Sequence, residues 1–391
     1  MTGQPSVGFD ALFLEQPMTG AGQYALNLWR QLRDCQEVVS PHLLMPADAP
    51  DVARAAAGNS AVTTAAQPRA TLRGRGRKVW WEQVGLVSAT RRSGVDLVHI
   101  PYFSAPLRQS TPHVVTVHDV IPLVLPEYAG SRRMRMYLRV VSRAARKASL
   151  VLTDSEHSRR DITRCLGIAG DRIRVTPLAA GSEFSPAQSE SECASVERVK
   201  QRFGLRAPFV LNVGGFDLRK RLPHLLRGFA AALPMLPEPY DLVIAGNPHT
   251  ANASLNPPLE PIIGELGISD RVRLVGFVSH EDKRDLYRAA TLFAFVSEYE
   301  GFGLNPLEAM ACGAPVICSN RSSLPEVVGD AGLSIDPEPD DIARAIVCAA
   351  TDPALRADLA RRSLRRASSF SWEQTAALTL DAYQYVLDRS Q

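Results

Sequence analysis

Short apolar runs alternate with longer amphipathic stretches along most of the chain. In the first half the apolar runs cover residues 7–14, 96–100, 114–117 and 150–153, and in the second half they cover residues 209–213, 241–246, 271–276, 292–296 and 316–318. Runs of this length are typical of strands buried in a parallel sheet, and intervening stretches such as residues 23–32 place apolar residues at helical spacing. The pattern predicts an α/β protein.

Proline and glycine are concentrated at residues 175–186, and a polar stretch at residues 188–195 follows. With 391 residues the chain is long enough for two domains, each with its own core. We therefore predict a domain boundary here, after which the alternation of strands and helices starts again.

The segment from residue 297 to residue 315, SEYEGFGLNPLEAMACGAP, joins two of the apolar runs. Asn305 is predicted to be the N-cap of a short helix and Pro306 its first residue, while Gly313 ends it. The Gly-Phe-Gly loop then lies just before a helix N-terminus, where backbone N–H groups and the helix dipole attract anions such as a diphosphate.

Two glutamates bracket this loop. Glu308 follows the predicted cap by three residues, so one interpretation is a capping-box glutamate that bonds back to the cap. Glu300 taken alone is compatible with a solvated loop acid. Together, however, they lie eight residues apart at the carboxyl end of a predicted strand, which is where open α/β sheets bind ligands.

A second glycine turn follows the run at residues 209–213. It begins with Gly214 and Gly215 and continues to three consecutive cations, Arg219, Lys220 and Arg221. A solvated basic turn is one interpretation of this segment. The other is a phosphate pocket, in which glycine lets the backbone approach, arginine binds with its forked donors and lysine supplies a compact charge.

The segment around Glu300 and Glu308 resembles the E-x7-E signature of the retaining GT-B glycosyltransferases of the group 1 (family 4) type. Within that family, the sequence as a whole resembles the mannosyltransferases. The resemblance implies two Rossmann-like, doubly wound α/β domains facing a cleft. The N-terminal, acceptor-binding domain would cover residues 1–183 and the C-terminal, nucleotide-sugar-binding domain residues 184–370. A final helix, residues 371–391, would cross back to the first domain.

The resemblance also implies roles for residues of the second domain. Glu300 would contact the donor hexose, Glu308 would bind the nucleotide ribose, and Arg219 and Lys220 would hold the donor diphosphate. Arg221 departs from the polar residue that is commoner in the family, which leaves its role open. Further donor-binding positions implied in this domain are Gly214, Gly215, Phe277, Val278, Gly301, Phe302, Gly303 and Leu304.

In the first domain the resemblance points to two further places. Gly20 and Gly22 precede a predicted helix and are candidates for contact with the donor; the other interpretation is a tight turn that needs glycine dihedrals, and the two are compatible. A third glycine is missing, which argues against a dinucleotide cofactor. His118 follows the run at residues 114–117 and would contact the donor sugar, with Asp119 orienting the loop; a structural histidine is the alternative. We interpret Asp154 and its neighbours as helix capping only.

Composition supports a globular protein, with 45% hydrophobic and 22% charged residues. Six scattered cysteines, the absence of a signal peptide and the absence of an apolar run of about 20 residues predict a cytoplasmic protein. The net charge is only +3, yet residues 69–92 and residues 132–147 each contain seven basic residues. These clusters are either solvated helix faces or a surface that binds anionic lipid headgroups or a polyprenyl-diphosphate acceptor. Nucleic acid is a third possible partner, but no nucleic-acid motif supports it.

The expected activity is transfer of a hexose, with mannose favoured, from a nucleotide-diphosphate sugar to a glycan or lipid-linked glycan. GDP-mannose is the favoured donor and a UDP-sugar the second choice, and we expect neither a metal nor another cofactor, because no D-x-D triplet is present. Two alternatives remain open at this point: a nucleotide-sugar 2-epimerase, which would act without an acceptor, and a non-catalytic nucleotide-sugar sensor.

Overall fold

The computed structural model describes residues 4–35, 37–58, 60–66, 74–247 and 253–390. It divides into two compact units, one formed by Met1–Leu178 with Ser371–Gln391 and the other by Ala179–Phe370. The chain thus passes between the units after Leu178, inside the proline- and glycine-rich stretch, rather than after residue 183.

The first unit is built on a parallel sheet of seven strands in the order β3-β2-β1-β4-β5-β6-β7. The strands are β1 (Ser6–Asp10), β2 (Ser40–Pro46), β3 (Ala61–Ala65), β4 (Leu97–Ile100), β5 (His113–Thr116), β6 (Leu150–Thr153) and β7 (Ile173–Val175). The helices are α1 (Gly20–Asp34), α2 (Asp51–Ala57), α3 (Arg75–Trp80), α4 (Leu86–Ser93), α5 (Ile121–Val124), α6 (Arg132–Ala145) and α7 (Glu156–Leu166). A π-helical turn at Trp81–Gly85 connects α3 to α4.

Every residue of the central strands β4, β5 and β6 is buried, which explains why they appear in the sequence as continuous apolar runs. The first apolar run is only partly a strand. It ends at Asp10, whose carboxylate accepts a hydrogen bond from the Leu12 amide at 3.1 Å, and a 3₁₀ turn at Leu12–Glu15 follows. The prediction that this strand extends to residue 14 is therefore wrong, because the aspartate turns the backbone.

The second unit is built on a parallel sheet of six strands in the order β10-β9-β8-β11-β12-β13. The strands are β8 (Phe209–Val213), β9 (Asp241–Ala245), β10 (Val272–Gly276), β11 (Leu292–Phe295), β12 (Val316–Ser319) and β13 (Gly332–Ile335). The helices are α8 (Glu190–Arg202), α9 (Leu222–Ala232), α10 (Glu260–Glu265), α11 (His280–Ala289), α12 (Leu304–Ala311), α13 (Leu324–Val328), α14 (Pro339–Thr351) and α15 (Pro353–Ala367). The sheet order reverses between β8 and β11, so the carboxyl ends of these neighbouring strands form a topological switch point.

The last helix, α16 (Trp372–Asp388), packs in the first unit although it follows the second in sequence. The Tyr383 hydroxyl lies 2.6 Å from Nδ1 of His99 on β4, and the Thr375 hydroxyl donates to the Pro177 carbonyl at 2.6 Å. Within the described part of the chain, no helix is both long enough and apolar enough to cross a bilayer.

Candidate active site

Glu300 lies in the loop between β11 and α12, and two cations contact its carboxylate. Nζ of Lys220 is 2.5 Å from Oε1, and an Nη of Arg219 is 2.8 Å from Oε2. The Glu300 side chain is only 12% exposed. Glu300 is therefore not a solvated loop acid, and the structure brings it together with two adjacent cations that lie 81 and 80 residues earlier in the sequence.

Burial alone would raise the pKa of Glu300, but Arg219 and Lys220 outweigh it and lower that pKa to about 2. The pKa of Lys220 is lowered, because burial and the neighbouring Arg219 charge together exceed the attraction of Glu300. Asp217 lies 3.0 Å from Nε of Arg219 and adds a second carboxylate. The two cations are thus held in place by carboxylates, within a buried site where charge interactions are strong.

Backbone hydrogen bonds join the loop after β8 to the loop after β11. The carbonyl of Arg219 accepts from the Glu298 amide at 2.7 Å and from the Ser297 hydroxyl at 3.0 Å. In return, the Arg219 guanidinium donates to the Tyr299 carbonyl at 2.9 Å. These contacts fix the cations relative to the Glu300 loop.

Arg221, whose role the sequence leaves open, has a left-handed backbone with φ of 54°. Its Nε and one Nη donate to the same Glu298 oxygen at 3.1 and 2.7 Å. Among the described residues only Arg221 and Ser322 are non-glycine residues with positive φ, and the Ser322 hydroxyl accepts from the Glu300 amide at 2.9 Å. Such conformations cost roughly 1–3 kcal/mol each and cluster at functional sites.

The helix that follows the glycine loop begins at Leu304, with Gly303 as its N-cap. The predictions that Asn305 is the N-cap and Pro306 the first helical residue are therefore wrong. Instead, the Asn305 side-chain amide donates to the Val213 carbonyl at 2.8 Å, which ties the helix to the end of β8. Gly303 has φ of 123°, and a Cβ there would lie 2.9 Å from Leu324 Cδ2, so both the backbone and the space require glycine.

Glu308 is 2% exposed and faces α11 rather than the start of its own helix. Nζ of Lys283 lies 2.9 and 2.8 Å from its two oxygens, and the Tyr287 hydroxyl donates at 3.1 Å. The capping-box interpretation is therefore wrong. Burial raises the pKa of Glu308, partly offset by Lys283.

Sequence reasoning missed Lys283 and Tyr287. Their spacing of four residues on a capped helix was the available signal, because it places both side chains on one helix face.

Phe277 and Val278 follow β10 and Gly276, which has φ of 71°. Phe277 is 65% exposed, an unusual degree for a large aromatic side chain, whereas Val278 is buried. Gly214 and Gly215 follow β8 directly, with Lys220 and Asn305 close to Gly214. The structure thus places the predicted donor-binding residues of this unit in the loops that follow the carboxyl ends of β8, β10 and β11, except for Leu304 and Glu308, which lie in α12.

In the first unit, His118 follows β5 and lies 2.7 Å, through Nδ1, from Oδ2 of the buried Asp154. The other ring nitrogen, Nε2, is buried. Burial lowers the pKa of His118, but Asp154 outweighs it, so the net shift is upward. The capping-only interpretation of Asp154 is wrong, since Ser155 caps α7. Asp119 accepts from the Ile121 amide at 3.0 Å and so shapes the loop.

Gly20 and Gly22 lie in the first turn of α1, and neither has a positive φ. The interpretation as a turn that needs glycine dihedrals is therefore wrong. At Gly22 a Cβ would lie 1.9 Å from the Gln16 carbonyl oxygen, so close backbone contact requires glycine. At Gly20 nothing lies within 4 Å of a Cβ, so packing does not explain that glycine.

Comparison with known families covers nearly the whole chain. Residues 195–366 match the model described as "Glycosyl transferases group 1", and residues 18–180 match the model for "Glycosyltransferase Family 4". The O-antigen chain mannosyltransferase B of Escherichia coli is 34% identical in an alignment 386 residues long that covers 95% of this chain and 97% of that protein. The serotype-specific mannosyltransferase WbdA of the same organism is 30% identical over 281 residues, 71% of this chain but 34% of that longer protein.

Solved structures give the same fold. Sucrose-phosphate synthase from Thermosynechococcus elongatus superposes with a TM-score of 0.73 at 21% identity, covering 99% of this chain and 100% of that one. WaaG, a glycosyltransferase of lipopolysaccharide biosynthesis, superposes with a TM-score of 0.72 at 17% identity, covering 96% and 99%. These matches confirm the predicted GT-B fold and family: the chain belongs to the group 1 (family 4) glycosyltransferases and is a transferase.

Proposed function

We propose that this glycosyltransferase moves mannose from GDP-mannose to a hydroxyl of a glycan or polyprenyl-diphosphate-linked glycan in cell-envelope polysaccharide synthesis, with retention at the anomeric carbon. A UDP-sugar is the second-choice donor. The observation that carries the proposal is the buried cluster of Arg219, Lys220 and Glu300 beside the N-terminus of α12. The sugar and the pathway follow the names of the two mannosyltransferases from Escherichia coli.

The cluster suits departure of a diphosphate. Cleavage of the bond between the anomeric carbon and the diphosphate leaves positive charge on the sugar and adds negative charge to the leaving group. Fixed cations and helix-end amides aimed at that leaving group stabilise the transition state more than the ground state. Arg219, Lys220 and the amides of residues 301–304 would supply this stabilisation in our proposal.

Glu300 has two parts in this scheme. Before donor binds, it holds Lys220 and Arg219 in position, so little reorganisation is needed when the diphosphate arrives. With donor bound, its carboxylate would accept hydrogen bonds from the hexose hydroxyls while the cations turn their remaining donors to the diphosphate. No covalent attack by Glu300 is required.

Glu308 would bind the ribose of the nucleotide. Its two oxygens already accept from Lys283 and Tyr287, which fix the carboxylate while leaving lone pairs for the ribose hydroxyls. The exposed ring of Phe277 and the backbone of Val278 would contact the base, and Gly214 and Gly215 would let the backbone approach the diphosphate.

On the acceptor side, the hydroxyl would attack from the face that the diphosphate leaves, and a diphosphate oxygen would take its proton. His118, held through Nδ1 by Asp154, would contact the hexose through Nε2. Gly20 and Gly22 would bring the start of α1 close to the donor. The free cysteines of the described chain suit a reducing cytoplasm, where we place the reaction.

A thermal-shift panel of GDP-, UDP- and ADP-sugars tests the donor, because a ligand that binds the native state raises the melting temperature by mass action. Turnover with a mannosylated acceptor, followed by NMR of the product anomer, then tests transfer and retention. An inverted product would overturn the retaining mechanism. Incubation of the donor alone tests the 2-epimerase alternative, and binding without turnover would favour the sensor.

A further inference from the structure

The exposed face of α6 carries a dense group of cations. Ser131 caps the helix, and its buried face, which includes Leu138, Val141 and Ala144, packs into the first unit. The outer positions are basic, apart from Met136, whose side chain is 69% exposed. We define the α6 basic face by its exposed cations, which are Arg132, Arg133, Arg135, Arg139, Arg143, Arg146 and Lys147.

None of these seven cations forms an ion pair with a carboxylate of the described residues. Three of them donate to carbonyls instead: Arg135 to Gly130, Arg146 to Leu166 and Lys147 to Leu107. The other basic cluster of the first unit behaves differently, since Arg77 pairs with both Glu15 and Asp48. Arg69 and Arg73 of that cluster lie outside the described residues.

The charges on α6 work against the helix itself. Arg132 and Arg133 occupy its first turn, where the positive end of the helix dipole disfavours cations, and no acidic residue compensates them there. Like charges three or four residues apart along the same face repel one another. A helix that carries such cations at a cost to its own stability, with no carboxylate of the protein to balance them, is consistent with a surface that binds an anion outside the protein.

A groove of about 570 Å³ runs beside α6 and combines charge with an apolar floor. Arg135, Arg139 and Arg143 line it on the helix side, and Leu123, Pro126 and Leu138 are among its apolar lining. Guanidinium groups bind phosphate with paired donors, while the apolar floor suits a glycerol backbone or the start of an acyl chain.

From these features we infer that the α6 basic face docks on the anionic phospholipid headgroups of a membrane surface. The charge complementarity and the exposed Met136 beside the arginines favour a bilayer over a soluble anion. The inference goes beyond the proposed function and does not depend on which donor or sugar is used. It describes how the first unit would be held near a lipid-linked acceptor.

Cosedimentation of the full chain with vesicles tests it. Vesicles of phosphatidylcholine with phosphatidylglycerol should bind the protein, vesicles of phosphatidylcholine alone should not, and salt should weaken the binding. Each arginine near an anionic surface is worth about fivefold in affinity, so the double change Arg139→Gln and Arg143→Gln should weaken binding by about 25-fold.

The matched control is the double change Arg361→Gln and Arg365→Gln on the exposed face of α15, which removes the same charge at the same helical spacing. It should bind as the wild type does. Absence of binding by the wild type, equal binding by the α6 variant, or equal loss in the control would overturn the inference. So would release by inorganic pyrophosphate at matched ionic strength, which would make the groove a site for a free anion.

Turnover on a soluble acceptor, measured in parallel, reports on the proposed function separately. The α6 variant should keep this activity, because Arg139 and Arg143 are exposed and, within the described part of the chain, form no hydrogen bond or ion pair with the candidate active-site residues. If the wild type shows no turnover, the proposed function is contradicted, while the vesicle-binding result still tests the membrane inference.

Discussion

The Nζ atom of Lys220 lies 2.5 Å from the Glu300 carboxylate and 4.8 Å from the centroid of the Phe295 ring. The lysine thus lies between a carboxylate and an aromatic face, buried at the carboxyl end of the sheet. Arg219 completes the contact on the other carboxylate oxygen. Because each of these groups restricts the positions of the others, a substitution of any one should alter the geometry of the whole cluster.

Replacing Glu300 with glutamine keeps the shape but removes the charge that holds the two cations. We expect the turnover number to fall by about 10²–10³, with the donor KM changed much less, since the loss is felt chiefly in the transition state. Steady-state kinetics measure both. The control is Glu298→Gln, two residues away, which should lose far less; near-normal turnover of the Glu300 variant would remove it from the mechanism.

The pair of Arg221 and Glu298 should position the Arg219 loop rather than touch the donor. Both side chains are partly exposed, so Glu298→Gln should change the free energy of unfolding by no more than about 1 kcal/mol. We expect turnover to fall by about tenfold, because small misplacement of catalytic groups is costly. The charge swap Arg221→Glu with Glu298→Arg should recover part of that loss. If the pair had a purely structural role, turnover would fall only in proportion to the loss of stability.

Stability should depend on pH through His118 and Asp154. The pKa of His118 is raised in the folded protein, so its contribution is fully present below the ordinary histidine pKa and is lost as pH rises through the raised value. The melting temperature of the wild type should therefore exceed that of Asp154→Asn most at about pH 5 and least at about pH 9. If the difference in melting temperature stays constant across this pH range, the ion pair with Asp154 does not cause the raised pKa of His118.

Gly20 and Gly22 should respond differently to alanine. Gly22→Ala forces a Cβ to 1.9 Å from the Gln16 carbonyl oxygen and should destabilise the first unit by roughly 1–3 kcal/mol. Gly20→Ala meets nothing and should fold normally. Thermal melting measures both effects. A raised donor KM in Gly20→Ala, with unchanged melting, would then report a contact with the donor, and an unchanged KM would exclude one.

Lys283 should serve Glu308 by balancing its buried charge. Lys283→Met leaves that carboxylate buried without its cation, which typically costs about 3–5 kcal/mol in a fully buried pair. The double change Lys283→Met with Glu308→Gln should restore much of the stability but not the donor affinity. Chemical denaturation and donor titration separate the two effects; full donor affinity in the double variant would rule out a ribose contact by Glu308.

Part of the candidate site could be predicted from the sequence because it is local. The segment around Glu300, the three cations at residues 219–221 and the helix near residue 308 each follow an apolar run, and carboxyl ends of parallel strands share one edge. The strands β2, β3, β7 and β13 were missed because proline, threonine, arginine or glycine interrupts their apolar pattern. The N-cap of α12 was misplaced because Asn305 has a distant partner that outcompetes its local preference.

The α/β class, the positions of the longer buried strands and the family signature follow from the amino-acid sequence alone, since these depend on spacing along the chain. The folded structure was needed to show that Lys220 and Arg219 contact Glu300, that Lys283 and Tyr287 bind Glu308, and that Asp154 binds His118. The reason is physical: a side chain's partner across tens of residues depends on which strands become neighbours, and that order is set when the sheets pack, not by any local run of residues.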